Sequence, residues 1–314
     1  MKVKSSKDGP EWLYDEILVE LKRIGIPCAI TGGLACVEFN IADHTEDCDL
    51  ICSPEHAGQL LNVLRQKPYE GARCQYRGSL GAPLDQRWLL GGYTAHFHWP
   101  CRSQDKPFLD VFGVPPRVSS PWQAEVKGSF AGRHTVAEMK RTNRRKDWDQ
   151  ATALGIQMLK ARDKRAWLHI FDGPTLTALL RETPQAARPG PHEMAKRPVL
   201  HLALEESPLL ARAIQTEIDF WTHLDRIRLQ VYAKSAHAYG RTVSMDKRAK
   251  DGDIMSQHEA RVEHAEKLLP QFPLKDYGVK RIIEEAREAT AIGLDPVLLR
   301  CLPEVTIHFE SFIG

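Results

Sequence analysis

Runs that look like β-strands are confined to the first part of this chain, and helical patterns dominate the rest. β-like runs lie near 73–78, 93–99 and 108–112, and 47–52 alternates in the same way. From about Thr135 onward, apolar residues recur at three- and four-residue steps, which is the period of a helix. We therefore predict an α+β fold, in which a mixed β-sheet with flanking helices is followed by an α-helical C-terminal domain.

The length of the chain and its helical patterns indicate two domains. At 314 residues the chain suits one large domain or two of ordinary size. Periodic apolar residues predict helices at about 10–24, from Gly32 to about Phe39, from Ser53 to Pro68, from Ser207 to near Gly240, at 256–268 and at 277–292. We expect 187–198 and 241–253, which are polar or rich in proline, to be loops. The predicted domains are 1–160 and 161–314.

The composition is that of a globular protein. Hydrophobic residues make up 42% of the chain and charged residues 27%, close to the average for soluble domains. The formal net charge of +2 produces no strong overall field. The first residues lack the apolar core of a signal peptide, and no run of about 18 apolar residues occurs. We expect a cytoplasmic protein with no membrane partner.

The cysteines argue against both a disulfide framework and a structural zinc site. There are seven, an odd number, and none forms a C-x-x-C pair. Cys48 and Cys52 share a predicted strand, and Cys101 closely follows His98, but buried or incidental thiols explain these positions better than catalysis does. We predict reduced thiols.

Two aspartates share one face of a predicted strand. Residues at i and i+2 of a strand point the same way, so Asp47 and Asp49 would project side by side while Cys48 faces the other way. Carboxylates that lie so close repel each other, and an oxygen-preferring divalent cation such as Mg2+ relieves the repulsion. For this motif by itself, the solvent face of an edge strand is the more economical interpretation.

Two further features favour a binding site. Gly32 and Gly33 lie between a predicted strand and a predicted helix, where glycines allow backbone N–H groups to approach a phosphate. Asp110 interrupts the apolar run of 108–112, and a buried aspartate requires a cation or a hydrogen-bond donor. A metal ion held by Asp47 and Asp49 would supply that partner.

In order and spacing, these elements resemble the DNA polymerase β-like nucleotidyltransferase superfamily. The family signature is an apolar strand, a Gly-Gly pair, nine to thirteen residues, Asp-x-Asp and a later apolar strand with a third aspartate. Here the corresponding residues are 29–33, Asp47-Cys48-Asp49 and Leu109-Asp110, with thirteen residues between the glycines and Asp47. The resemblance covers roughly 15–155 and implies a nucleotidyltransferase core in the first domain.

A longer stretch is similar to the AbiEii-like group of that superfamily, which includes toxin-type enzymes of toxin–antitoxin and phage-defence systems. Residues 45–50 (TEDCDL) resemble the T-x-D-I-D-L form of the group. Met139-Lys140, followed by Lys146-Asp147-x-Asp149, resembles its M-K...K-D-x-x-D element with one residue fewer in the last spacing. Cys48 replaces the usual aliphatic residue, and Asp43 stands where the group often has arginine.

The resemblance implies a role for each matched residue. Asp47, Asp49 and Asp110 would bind Mg2+, with Mn2+ as the alternative ion, and would be catalytic. The residues implied to bind the nucleotide are Thr31, Gly32, Gly33, Thr45 and Lys140. The reaction would be two-metal transfer of a nucleoside monophosphate from an NTP to an acceptor hydroxyl. An RNA end such as that of tRNA, a protein side chain or a small molecule could carry that hydroxyl, and a cognate antitoxin or toxin could be a partner.

Other polar residues have two interpretations that the sequence leaves open. Lys140, Arg144 and Asp147 would share one helix face, where Lys140 could reach the triphosphate or simply form surface ion pairs. The basic run 140–146 could contact nucleic-acid phosphates or be a solvated surface. His96 and His98 could form a metal-binding pair or face the acceptor, although a polar sheet face is the simpler interpretation.

A second class of function competes with the enzyme. A member of the superfamily that has lost catalysis would bind nucleotide or a protein partner and act as a regulator or antitoxin. Such members often lose one of the carboxylates, whereas this chain keeps Asp47, Asp49 and Asp110. A plain nucleic-acid-binding protein would carry a larger positive charge and clustered aromatic residues. The sequence therefore favours the enzyme.

Overall fold

A computed structural model of the chain describes residues 9–102, 106–119 and 121–305. The fold is α+β, with a five-stranded mixed sheet in the first part of the chain and a helical C-terminal region, as the segregated patterns predict. The strands are β1 (Cys28–Thr31), β2 (Cys48–Cys52), β3 (Gln75–Tyr76), β4 (Thr94–His98) and β5 (Phe108–Phe112).

Helices occupy most of the remaining described chain. The first helix, α1, comprises Gly9–Trp12, Leu13–Leu18 and Val19–Arg23, and its middle segment is π-helical. The helices that follow are α2 (Gly32–Glu38), α3 (Ala57–Gln66), α4 (Gln86–Leu90), α5 (Arg133–Met139), α6 (Arg145–Lys160), α7 (Gly173–Glu182), α8 (Pro191–Lys196), α9 (Val199–Leu204), α10 (Leu210–Met245), α11 (Lys247–Asp251), α12 (Ile254–Leu268), α13 (Pro273–Tyr277), α14 (Val279–Ala291) and α15 (Pro296–Leu299). Short 3-10 turns lie at Pro54–His56, Trp122–Glu125, Lys164–Leu168 and Gln185–Ala187.

The sheet has the strand order β1-β2-β5-β4-β3. β2 and β5 are parallel at its centre, and the other neighbouring pairs are antiparallel. One face is apolar: Leu50, Leu109 and Phe97 lie in a buried cluster with Leu60 and Leu64 of α3. α3 therefore covers this face, and the residues that alternate with the apolar ones point to the opposite face.

Both edges of the sheet are hydrogen-bonded to other segments. At β1, the backbone of Ile30 accepts from Ala131 N and donates to Ser129 O, each at 2.9 Å. At β3, the amide of Tyr76 donates to Oε1 of the buried Gln257 at 2.9 Å, although 181 residues separate the two in sequence. These contacts satisfy backbone groups that an open edge would leave to solvent.

The chain divides into two compact units. The sheet unit comprises the chain up to Pro116, Trp122–Ala131 and Val231–Asp276, and the helical unit comprises Arg117–Pro121, Gly132–Gln230 and the chain from Tyr277. These units differ from the predicted segments 1–160 and 161–314. The difference arises because 231–276 fold against the sheet, where Trp88 and Tyr93 cluster with Tyr239, Ala260, Ala265 and Leu269.

Two segments expected to be loops are largely helical. Within 187–198 lies α8, which begins with Pro191 at its first position and has a hydrogen bond from Gly190 N to Glu193 Oε2. Within 241–253, α10 continues to Met245 and α11 follows, capped by the carboxylate of Asp246. These expectations were wrong because helix caps and tertiary packing outweigh the polar composition of both segments.

None of the helices in the described ranges combines the length and apolar character that a membrane span requires. The seven cysteines are free thiols, and all except Cys101 are buried.

Candidate functional site

A row of polar side chains crosses the sheet near its centre. The register pairs Thr31 with Asp49, Asp49 with Asp110, and Asp110 with His96, so four adjacent strands each contribute one residue. Directly paired residues project from the same face of a sheet. On β4 and β5 that face is half-buried, while the residues between are buried in the core. Two of the three predicted carboxylates, Asp49 and Asp110, are therefore neighbours.

The two glycines bring the backbone against the predicted carboxylates. At Gly32, φ is +63° and an added β-carbon would lie 1.7 Å from Asp49 Oδ2. At Gly33 an added β-carbon would lie 2.4 Å from Thr45 Oγ1 and 3.8 Å from Asp47 Oδ1. A side chain at either position would displace its neighbour, so only glycine fits the backbone as it stands. The structure thus gathers five of the predicted site residues at the end of β1.

Asp47 lies immediately before β2, which begins one residue later than predicted. Thr45 Oγ1 donates a hydrogen bond to Asp47 Oδ1 at 3.0 Å. The hydroxyl of Thr45 therefore orients the carboxylate of Asp47 beside Gly33. Thr31, the last residue of β1, is fully buried and occupies the N-cap position of α2. It supports the turn at the glycines.

Asp110 accepts two hydrogen bonds at a single oxygen. Arg77 Nη2 lies 2.5 Å and His96 Nδ1 lies 2.8 Å from Asp110 Oδ1. Burial works to raise the pKa of Asp110, but the hydrogen bond from His96 and the charges of His96 and Arg77 together lower that pKa below its ordinary value. Asp110 is therefore an ionised carboxylate at neutral pH, and both neighbours donate to it.

Arg77 was not among the predicted site residues, and for His96 a polar sheet face was preferred to a functional role. Arg77 follows a strand of only two residues. Such a strand is too short for an alternating pattern that would show which face the side chain of Arg77 lies on. A signal for His96 did exist: it alternates with His98 on a strand, and an antiparallel partner strand carries Asp110. Predicting the contact would have required the register between β4 and β5, which no local pattern specifies.

Lys140 belongs to the helical unit and is buried there. Its Nζ lies 3.3 Å from Asp147 Oδ1, and Thr142 Oγ1 and Arg144 Nε donate to Asp147 Oδ2 at 2.5 and 2.8 Å. The predicted shared helix face is wrong, because α5 ends at Met139 and α6 begins only at Arg145. The break lets three donors converge on one fully buried carboxylate.

Only part of the basic run 140–146 is exposed at the surface. Lys140, Arg141 and Thr142 are buried, whereas the residues from Asn143 to Lys146 are exposed. Arg141 Nη2 donates to the carbonyl of Leu168 at 3.2 Å within the helical unit. A continuous phosphate-contacting patch along the whole run is therefore not present.

A divalent cation requires several ligands close together. In the described ranges, no group of three or more His, Cys, Asp and Glu side chains lies close enough together to hold a metal ion. Carboxylate oxygens are the ligands that Mg2+ prefers; Asp47 and Asp49 supply them at the glycine turn, and Asp110 supplies them beside Asp49 on β5. Both hydrogen bonds to Asp110 engage Oδ1, which leaves Oδ2 as the oxygen suited to a cation.

Comparisons with protein-family models, with curated proteins and with solved structures found no match for this chain, so its own residues carry the functional argument. Those residues form three zones along the polar row. The glycine turn can approach a phosphate, Asp49 and Asp110 present adjacent carboxylates, and Arg77 and His96 donate to Asp110. Such an arrangement can bind and polarise a phosphate ester.

Proposed function

We propose that this chain is a Mg2+-dependent nucleotidyltransferase with a DNA polymerase β-like core, closest to the AbiEii-like group. The supporting observation is the convergence of Gly32, Asp49 and Asp110: the carboxylate of Asp49 lies against Gly32 and is paired in register with Asp110. A solvent-facing pair of aspartates would not require glycine at the end of the adjacent strand. Gly32 and Asp110 are separated by 78 positions in the sequence, and their common proximity to Asp49 supports the proposal.

Each residue of the site has a task in this reaction. Backbone N–H groups of Gly32 and Gly33 bind the triphosphate, and Thr45 orients Asp47. Asp47, Asp49 and Asp110 would hold Mg2+ or Mn2+, which would neutralise the charge of the phosphates and favour departure of pyrophosphate.

Group transfer proceeds by in-line displacement at the α-phosphorus. The acceptor oxygen forms a bond to the α-phosphorus as its proton passes to Asp110 Oδ2. The bond from the α-phosphorus to the bridging oxygen of the β-phosphate breaks, and pyrophosphate leaves with the electron pair. Lys140 has no assigned part in these steps, because its Nζ is held by Asp147 in the helical unit.

The acceptor is a hydroxyl of an RNA end such as that of tRNA, of a protein or of a small molecule. As an NTP-dependent enzyme of the AbiEii-like type, the protein would act in the cytoplasm, with a cognate antitoxin or toxin as a partner.

The test is transfer of label from each of the four α-32P-labelled NTPs, in the presence of Mg2+ and cell extract. The wild-type chain should label an acceptor, and Asp49→Asn and Asp110→Asn should each reduce labelling by at least about 100-fold. Asp43→Asn is the matched control, since Asp43 is an exposed aspartate of the loop before β2 and its substitution should not affect transfer. Removal of Mg2+ with EDTA should abolish labelling.

Two results would contradict the proposal. Labelling that persists in Asp49→Asn and Asp110→Asn would place the chemistry elsewhere. Absence of labelling with every NTP, together with nucleotide binding that survives both substitutions, would favour the regulator or antitoxin with the same fold.

A further inference from the structure

One short loop contains the first of the two donors to Asp110 and contacts the second. This loop, 77–82, is called the Arg77 loop below. It begins at Arg77, whose amide donates to His96 O at 2.8 Å, and it ends at Ala82, whose amide donates to Thr94 O at 3.1 Å. The loop is therefore fastened at both ends to β4.

The middle of the Arg77 loop lies directly on His96. A β-carbon added to Gly81 would lie 2.7 Å from His96 Cδ2, so the backbone of Gly81 already touches the imidazole ring. Gly78 has a φ of +68°, a conformation that favours glycine and turns the chain back over the strand. The position of this loop thus sets the positions of both Arg77 and His96.

A buried arginine from the far end of the chain holds the loop in place. Arg261 Nη2 donates to Gly78 O at 2.6 Å, and Arg261 Nη1 donates to Gly81 O at 3.2 Å. Its guanidinium lies 4.5 Å from the centroid of the Tyr76 ring, and its side chain is 2% exposed. The planar fork of an arginine presents its donors to the two carbonyls in a fixed geometry, whereas a lysine presents a compact ammonium on a flexible stem.

Arg261 lies on α12 within the sheet unit. A continuous series of contacts leads from its side chain to Asp110. They run from Arg261 to Gly78 and Gly81, from these to Arg77 and His96, and from both donors to Asp110 Oδ1. A side chain located 184 residues after Arg77 is therefore linked by contacts to the third carboxylate.

We propose that Arg261 is a positioning residue for the transfer reaction. Through the Arg77 loop it holds Arg77 and His96 as the two donors to Asp110 Oδ1, so that Oδ2 faces the reacting groups. The inference rests on the proposed function for the role of Asp110, but the coupling of Arg261 to His96 can be measured without turnover.

The principal variant is Arg261→Lys, which keeps the positive charge but loses the planar guanidinium that bridges the two carbonyls. Arg248→Lys is its matched control, because Arg248 is an exposed arginine of α11 in the same unit and pairs with Glu263. Three properties are compared: urea unfolding, the kcat and KM for NTP, and the imidazole 15N–1H spectrum of histidine-labelled protein. His96→Gln identifies the His96 signals.

We expect Arg261→Lys to shift the His96 signals and to lower kcat by between about ten- and a hundredfold, since small displacements of reacting groups are costly. KM for the NTP should stay within about twofold, because Gly32, Gly33 and Thr45 are not touched by the loop. Arg248→Lys should match the wild type in all three measurements.

A second variant guards against a folding failure of the first. Gly81→Ala leaves Arg261 in place and pushes a methyl group against His96, so it should reproduce the change in the His96 signals and in kcat. A folded Arg261→Lys protein with wild-type His96 signals and wild-type kcat would overturn the proposal. A loss of stability with unchanged His96 signals would also overturn it, because Arg261 would then be structural only.

The failure of the proposed function would be recognised separately. If the wild-type chain transferred no label from any NTP, the nucleotidyltransferase would be refuted, while the spectrum of Arg261→Lys would still support or refute the coupling to His96 and Asp110.

Discussion

At the residue scale, position 32 tolerates no side chain. Its φ of +63° alone costs an L-residue about 1–2 kcal/mol, and an added methyl group would overlap the Asp49 carboxylate. We expect Gly32→Ala to lower the free energy of unfolding by at least about 1–2 kcal/mol and to abolish transfer activity by displacing Asp49. Urea unfolding measures the first effect, and the labelling assay measures the second.

The matched control is Gly58→Ala. Gly58 is exposed in α3, on the opposite side of the sheet, and nothing lies within 4 Å of an added β-carbon. Because alanine is the better helix former, this variant should gain about 0.5–1 kcal/mol of stability and keep full activity. Equal stability and activity of the two alanine variants would show that Asp49 does not lie against Gly32.

The thiols allow a second prediction at this scale. Burial raises the pKa of Cys28 to about 11 and that of Cys52 to about 12, and both remain protonated at mildly alkaline pH. Cys101 is the half-buried exception. Ellman's reagent should therefore titrate about one thiol in the native protein and all seven after denaturation. Cys101→Ser should remove the native reaction, and a reaction that survives this substitution would contradict the burial of the others.

At the scale of elements, a buried ion pair joins the segment before Trp122 to α10. Arg117 donates to Asp225, and Arg228 of the same helix donates to Asp225 Oδ1 at 3.0 Å. Asp225→Asn would leave Arg117 buried without its counter-charge, which should cost about 3–5 kcal/mol in urea unfolding. Asp163→Asn is the control, because Asp163 is partly exposed and asparagine also caps helices; it should cost less than about 1 kcal/mol.

The same pair predicts a dependence on pH. Burial works to raise the pKa of Asp225, but the charges of Arg117 and Arg228 and the hydrogen bonds lower it below the ordinary value. The contribution to stability is therefore complete above the unfolded pKa of about 4 and is lost as the pH falls through the folded value. Wild-type stability should decline below about pH 4, and Asp225→Asn should decline less over the same interval. Parallel declines in the two proteins would contradict this assignment.

Elements with a strong period were predictable, and elements set by distant contacts were not. The apolar alternation predicted 108–112 and 93–99, and the strands found are Phe108–Phe112 and Thr94–His98. The helix expected between Ser207 and Gly240 is also present, as α10. By contrast, the break between α5 and α6 follows from the convergence of donors on Asp147, a tertiary interaction that leaves no period in the sequence.

At the scale of the whole molecule, the same distinction holds for the candidate site. Spacing in the sequence singled out the glycines and the three aspartates as candidates, because the signature that they resemble is short and ordered along the chain. Arg77, His96 and Arg261 join that site through strand register and through the return of 231–276 to the sheet unit. Contacts over such separations depend on topology, which local patterns do not encode.

The return of 231–276 predicts that the segment 1–160 is not an independent folding unit. Without it, Tyr76 N loses Gln257 Oε1, Trp88 Nε1 loses Leu269 O, and the aromatic cluster around Trp88 and Tyr93 is exposed. Each buried donor left unsatisfied costs about 1–3 kcal/mol, and the exposed apolar surface adds to that. The isolated fragment should show no cooperative transition in urea and should bind a hydrophobic dye. Co-expression with 161–314 as a separate chain should restore both the transition and the labelling activity. A cooperative transition for 1–160 alone would show that the sheet is stable without Gln257 and Leu269, and that the contacts of α12 with the sheet contribute little to its stability.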